Sequence, residues 1–150
     1  MPITIAFKKI DKKSKFYSKL ITKWTDSNYY HCEIIIDNVW ISATEGKGVT
    51  INELLPLKDT WDYFKIDELT ITSEQAIIIN TWIYAQSDKK YDWLGIALAQ
   101  VLPFKYHNDK KWFCSELVTK ILQLHLIPKV LDLEPHLVSP GDLAKIFNLE

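Results

Sequence analysis

The sequence predicts an α+β fold in which a small antiparallel sheet packs against helices. Three observations predict it: short β-rich runs punctuated by turn residues fill the first half, apolar residues at helical spacing dominate the second, and no repeat, linker or low-complexity segment divides the 150 residues. A chain of this length reads as one domain, 1–150, able to bury roughly two thirds of the surface its unfolded form exposes.

Ile3 to Phe7 reads as a first strand. Ser14 to Trp24 carries Phe16, Tyr17, Leu20, Ile21 and Trp24 at spacings of three and four, an amphipathic helix that Thr25-Asp26-Ser27-Asn28 breaks. Tyr30 to Ile36 and Val39 to Ala43 flank Asp37-Asn38, a two-residue turn signal, and so form a hairpin. Glu45-Gly46-Lys47-Gly48 supplies the next turn, and Val49 to Ile51 and Asp62 to Ile66 are further short strands. Thr72-Ser73-Glu74-Gln75 caps a helix running to about Gln86. A second helix is expected from Tyr91, with Asp92 as N-cap, to Leu102 before Pro103. A third starts at Cys114 and ends near Leu126, ahead of Pro128. Ser139 then caps a last short helix with Pro140 in its first turn.

Composition removes several classes of function. Eighteen cations and nineteen acids are interleaved, so no electrostatic footprint for nucleic acid or anionic lipid stands out. Every cation is lysine; without arginine, any anion clamp must use ammonium groups or backbone amides. No run is long and apolar enough for a membrane span, and Ile3 to Phe7 is too short for a signal-peptide core, so synthesis in the cytoplasm is expected. Cys32 and Cys114 do not make a disulfide framework and are expected to remain thiols in a reducing compartment.

Cys114 carries the chemical interest. It falls where a Lys-rich loop gives way to the run Leu117, Val118, Ile121, Leu122, Leu124, at a helix N-terminus whose unpaired amides and dipole favour a thiolate. Of four histidines, His125 lies eleven residues down the same helix, about 16 Å along its axis, and cannot reach. His107 and His136 lie in loops, whereas His31 heads a strand, the more rigid mount. Three residues can orient His31: Glu33 on the same face of that strand, Ser42 on the paired strand, and Glu45 just beyond it. Trp112, beside Cys114, is a candidate wall for a substrate cleft. Cys32 points to the face opposite His31 and reads as core, as do most of the tryptophans.

The ordered set His31-Cys32-Glu33, Ser42-Ala43 with Gly48-Val49, Tyr91-Asp92, Phe113-Cys114-Ser115-Glu116-Leu117 and Ser139-Pro140-Gly141-Asp142-Leu143 resembles the circularly permuted papain-like amidases of the NlpC superfamily, YiiX-type branch. The resemblance spans nearly the whole chain, and small Lys-rich, Arg-free proteins of this pattern resemble phage-encoded ones. It implies a permuted papain-like fold with Cys114 as nucleophile and His31 as base, needing no metal or cofactor. It implies cleavage of a peptide or isopeptide-like amide, with peptidoglycan stem peptides as the leading substrate and the host cell or a virion as the site of action. The family's third position falls on Ser42, where relatives carry a stronger acceptor. That departure leaves open a non-catalytic binding or virion-associated module on the same fold, and acyl transfer or thioester cleavage by the same Cys–His pair is open too.

Overall fold

The computed structural model describes residues 2–53, 56–66, 71–92 and 110–150. Its fold is α+β. The elements in chain order are β1 (Ile3–Lys9), α1 (Phe16–Thr25), β2 (Tyr29–Ile36), β3 (Val39–Thr44), β4 (Gly48–Glu53), β5 (Trp61–Ile66), α2 (Ser73–Ala85), β6 (Lys90–Tyr91), β7 (Lys111–Trp112), α3 (Cys114–Leu124) and α4 (Pro140–Ile146). Strands β1 to β5 form one antiparallel sheet in the order β4-β3-β2-β1-β5, and β6 pairs with β7 in parallel.

The two faces of the sheet follow from strand alternation. Ile3, Ile5 and Phe7 of β1, Cys32, Ile34 and Ile36 of β2, and Ile41 and Ala43 of β3 point to one side. There they meet Leu117, Val118, Ile121 and Leu122 of α3, all at most 1% exposed, and Leu143 of α4. Each such side chain contributes about 1.5–3 kcal/mol by leaving water. That outweighs the roughly 1 kcal/mol a side-chain N-cap would add, so packing holds α3 in place although Phe113, at its N-cap, offers no capping side chain. Ala6, Ile35, Trp40 and Trp61, with Tyr63, form a smaller cluster on the opposite face.

The hairpin turn is as predicted: Asp37 and Asn38 have φ of 47° and 67°, both positive as a type I′ turn requires. The capping box is also present, Thr72 Oγ1 accepting from Gln75 N–H while the Gln75 side chain accepts from Thr72 N–H. One expectation is overturned. Tyr91 does not open a helix; it lies in β6, its Cα opposite that of Trp112, and Asp92 N–H donates to the Trp112 carbonyl at 2.9 Å. The rest of the expected helix, with Trp93, Leu102, Pro103 and the loop bearing His107, lies outside the described residues.

Gly48 joins this short pair to the main sheet. Its φ is +73°, and a Cβ built there would stand 2.3 Å from the Lys89 carbonyl oxygen, which accepts the Val49 N–H at 2.8 Å. Alanine at position 48 combines left-handed strain with a backbone clash, and we expect Gly48→Ala to destabilise the fold by on the order of 3 kcal/mol. Urea unfolding measures it; a loss below about 1 kcal/mol, inside the range of ordinary surface changes, would refute the close approach.

Candidate functional site

The site lies where the sheet comes apart. Strands β2 and β3 pair only from Ile34↔Ile41 to Ile36↔Val39, although continuing the register would place Glu33 opposite Ser42 and Cys32 opposite Ala43. On its other side β2 shifts register against β1 between Lys8 and Lys9, which leaves Tyr30 as an extra residue just before His31. A bulge of this kind bends the strand and re-aims its side chains. The N-terminus of α3 enters the gap, so Cys114 meets residues from both faces of β2: His31 from the cleft face and Cys32 from the core face.

Cys114 is 2% exposed and begins α3. Its thiol is held well below the ordinary range. The hydrogen bond from the Cys32 thiol is the largest cause; burial opposes it, and the positive charge and hydrogen bond of His31 and a bond from the Cys32 backbone add to the lowering. Cys32 moves the other way, raised by burial and by giving its proton to the neighbouring sulfur. The two sulfurs therefore shift in opposite directions, Cys114 toward the thiolate and Cys32 toward the thiol. Burial works against a charged His31, yet the Cys114 thiolate and the Glu33 carboxylate outweigh it and push its pKa up to about 9.

Distance separates the three candidate partners of His31. His31 Nε2 stands 3.1 Å from Glu33 Oε1 and 3.5 Å from Ser42 Oγ. Ser42 makes its shorter contact, 2.7 Å, with Thr44 Oγ1. Burial resists ionisation of Glu33, but the bond and charge of His31, with smaller contributions from a Ser42 hydrogen bond and the Lys58 charge, prevail and its carboxyl is lowered. With Nε2–H donated to Glu33, Nδ1 is the ring nitrogen left for the sulfur. Glu45 points elsewhere, toward Lys15 at 3.7 Å and the Tyr17 hydroxyl.

A cleft of about 660 Å³ opens over this group, with His31, Glu33, Ser42, Trp40, Trp61 and Tyr91 in its lining. Trp61 meets the His31 ring edge-on at 5.8 Å between centroids. Burial and the nearby Cys114 charge raise the Tyr91 phenol well above its ordinary value, so it stays a hydrogen-bond donor. Trp112 does not wall this cleft: it is 7% exposed, packs edge-on against Trp82 at 5.7 Å, and donates to Gln86 Oε1 at 3.2 Å. His125 is buried at the end of α3 with Nδ1 2.8 Å from the Ile121 carbonyl, and His136 sits 3.6 Å from Glu134. Ser115 donates to the Val138 carbonyl at 2.6 Å and ties the start of α3 to the segment entering α4.

Sequence reasoning missed Cys32 as a partner of Cys114 and Trp40 and Trp61 as cleft walls. Strand parity carried the signal for Trp61, which shares its face with His31; nothing local announces that β2 and β3 part at Cys32. Among the described residues no group of three His, Cys, Asp or Glu side chains is placed to hold a metal ion, and no helix is long and apolar enough to cross a membrane. Neither family models nor curated proteins match the sequence.

His31, raised to about 9, contributes stability that is fully present below its unfolded value of about 6.5 and is lost as pH rises through about 9, whereas Cys114, lowered, contributes stability that is present above the unfolded thiol value of about 8.5 and is lost as pH falls. Alkylation of Cys114 by iodoacetamide should accordingly rise far less steeply below pH 8.5 than the roughly tenfold per unit of a free thiol. A free-thiol profile would remove the thiolate.

Proposed function

We propose that this chain is a cysteine amidase of the permuted papain-like class, and that its substrates are peptide or isopeptide-like amides, cell-wall stem peptides first among them. One observation carries the reading: a lowered thiol at a helix N-terminus bonds to a strand-borne histidine whose far nitrogen is held by a buried carboxylate. Nucleophile, base and orienting group stand in the order that covalent acyl transfer requires. Ser42 in the family's third position argued for an inactive module, but Glu33 supplies the acceptor that Ser42 lacks.

In this mechanism the Cys114 thiolate attacks the amide carbonyl and forms a carbon–sulfur bond. The Cys114 backbone N–H at the start of α3 is the donor for the oxyanion, a contact worth about 3–4 kcal/mol when well aimed. The His31 imidazolium gives its proton to the departing amine as the carbon–nitrogen bond breaks. Neutral His31 then takes a proton from water, hydroxide displaces the thiolate, and a carboxylic acid leaves.

Incubation with purified cell-wall muropeptides, followed by mass spectrometry, tests the reading. Released peptides and an acyl adduct confined to Cys114 are expected, both absent in Cys114→Ala. Unchanged muropeptides together with an unreactive thiol would overturn it.

A further inference from the structure

We propose that the cleft contains an anion subsite formed by Lys8 and Lys58 around Trp61, and that the amide substrate carries an anionic group on the portion lying there. The choice of reacting bond rests on the amidase reading; the subsite itself is measurable without it.

Register places the parts. Lys8 lies opposite His31 on β2 and opposite Trp61 on β5, so Trp61, Lys8 and His31 form a row across three strands on the cleft face. Directly opposed residues have Cβ atoms about 5 Å apart, which sets Lys8 one strand from the base. Lys58 reaches the same point from the loop before β5. Its Nζ lies 4.6 Å from the Trp61 ring centroid, while Lys8 Nζ lies 5.8 Å from it. Lys58 also lies 5.3 Å over Trp40, and Lys8 5.5 Å over Tyr30.

Ring faces hold an ammonium group without neutralising it. Among the described residues neither Lys8 nor Lys58 stands within ion-pair distance of a carboxylate, although Lys8 acts on Asp11 and Lys58 on Glu33 at longer range, whereas Lys9 and Lys15 have direct partners. Two like charges around one indole repel each other, and a bound anion relieves both. The surroundings agree: five lysines and His31 line the cleft against three carboxylates, in a chain of formal net charge −1. With no arginine in the sequence, recognition falls to point charges rather than to a bidentate fork.

Iodoacetate and iodoacetamide share a reacting carbon and differ in charge. The ratio of their rates at Cys114, referred to the ratio for free glutathione, should favour iodoacetate by about tenfold at low salt. It should shrink with added salt, fall several-fold in Lys58→Ala and Lys8→Ala, and invert in Lys58→Glu, where exposed Lys58 keeps the fold out of the question. A ratio equal to that of glutathione, or one indifferent to Lys58, overturns the subsite even where a fast iodoacetamide reaction upholds the thiolate. If Cys114 reacts with neither reagent, quenching of tryptophan fluorescence in Cys114→Ala decides: saturation by succinate or by inorganic phosphate but not by succinamide, lost in Lys58→Ala, supports the subsite, and no saturation by either anion overturns it. Whether succinate or phosphate binds more tightly identifies the class of anion.

Discussion

Replacing His31 with alanine is expected to lower acylation of Cys114 by about 10²–10⁴-fold, the range for loss of a positioned acid–base group. Two losses combine. The leaving amine loses its proton donor, and the thiolate loses the neighbouring charge that helps to hold it. The hydrogen bond from Cys32 remains, so alkylation should fall less than turnover and its pH profile should steepen and move upward. His136→Ala, altered beside Glu134 and outside the cleft lining, should leave both unchanged. Single-turnover acylation and iodoacetamide labelling across pH measure the two effects; a labelling profile identical to that of the parent protein would exclude His31 as the partner of Cys114.

The contrast between His31 and Cys32 shows what was legible in the sequence. Cys114 and His31 could be singled out because each is announced locally, Cys114 by the start of an apolar-periodic run and His31 by the head of a strand. The hairpin could be read because Asp37-Asn38 tolerates positive φ. Tyr91 could not, since a two-residue strand exists only by virtue of its partner at Trp112, about twenty residues on. Cys32 was assigned to the core by alternation, correctly, but its bond to Cys114 depends on where β2 and β3 stop pairing, and no periodicity marks that point. The choice between Glu33 and Ser42 was open for the same reason, since both belong to the cleft face and differ only in reach.

That choice is decided by opposed substitutions. Glu33→Gln keeps a hydrogen-bond acceptor near His31 Nε2 but removes the carboxylate charge, so the His31 pKa falls from its value of about 9 and less of the imidazolium is present to protonate the leaving group. The side chain is 11% exposed, so solvent screens that charge weakly. A drop of about 10²-fold or more in acylation is expected, since loss of the orienting carboxylate in Ser–His–Asp hydrolases costs up to about 10⁴-fold. Ser42→Ala removes a contact of 3.5 Å from a hydroxyl already engaged with Thr44, and should cost no more than about threefold, corresponding to the 0.5–1 kcal/mol of a weak neutral hydrogen bond. The pH profile separates orientation from simple damage: in Glu33→Gln the alkaline limb set by His31 moves to lower pH, a shift that generalised unfolding does not produce. If Ser42→Ala were instead the more damaging change, the carboxylate would be a bystander and the hydroxyl would be the third member of the site.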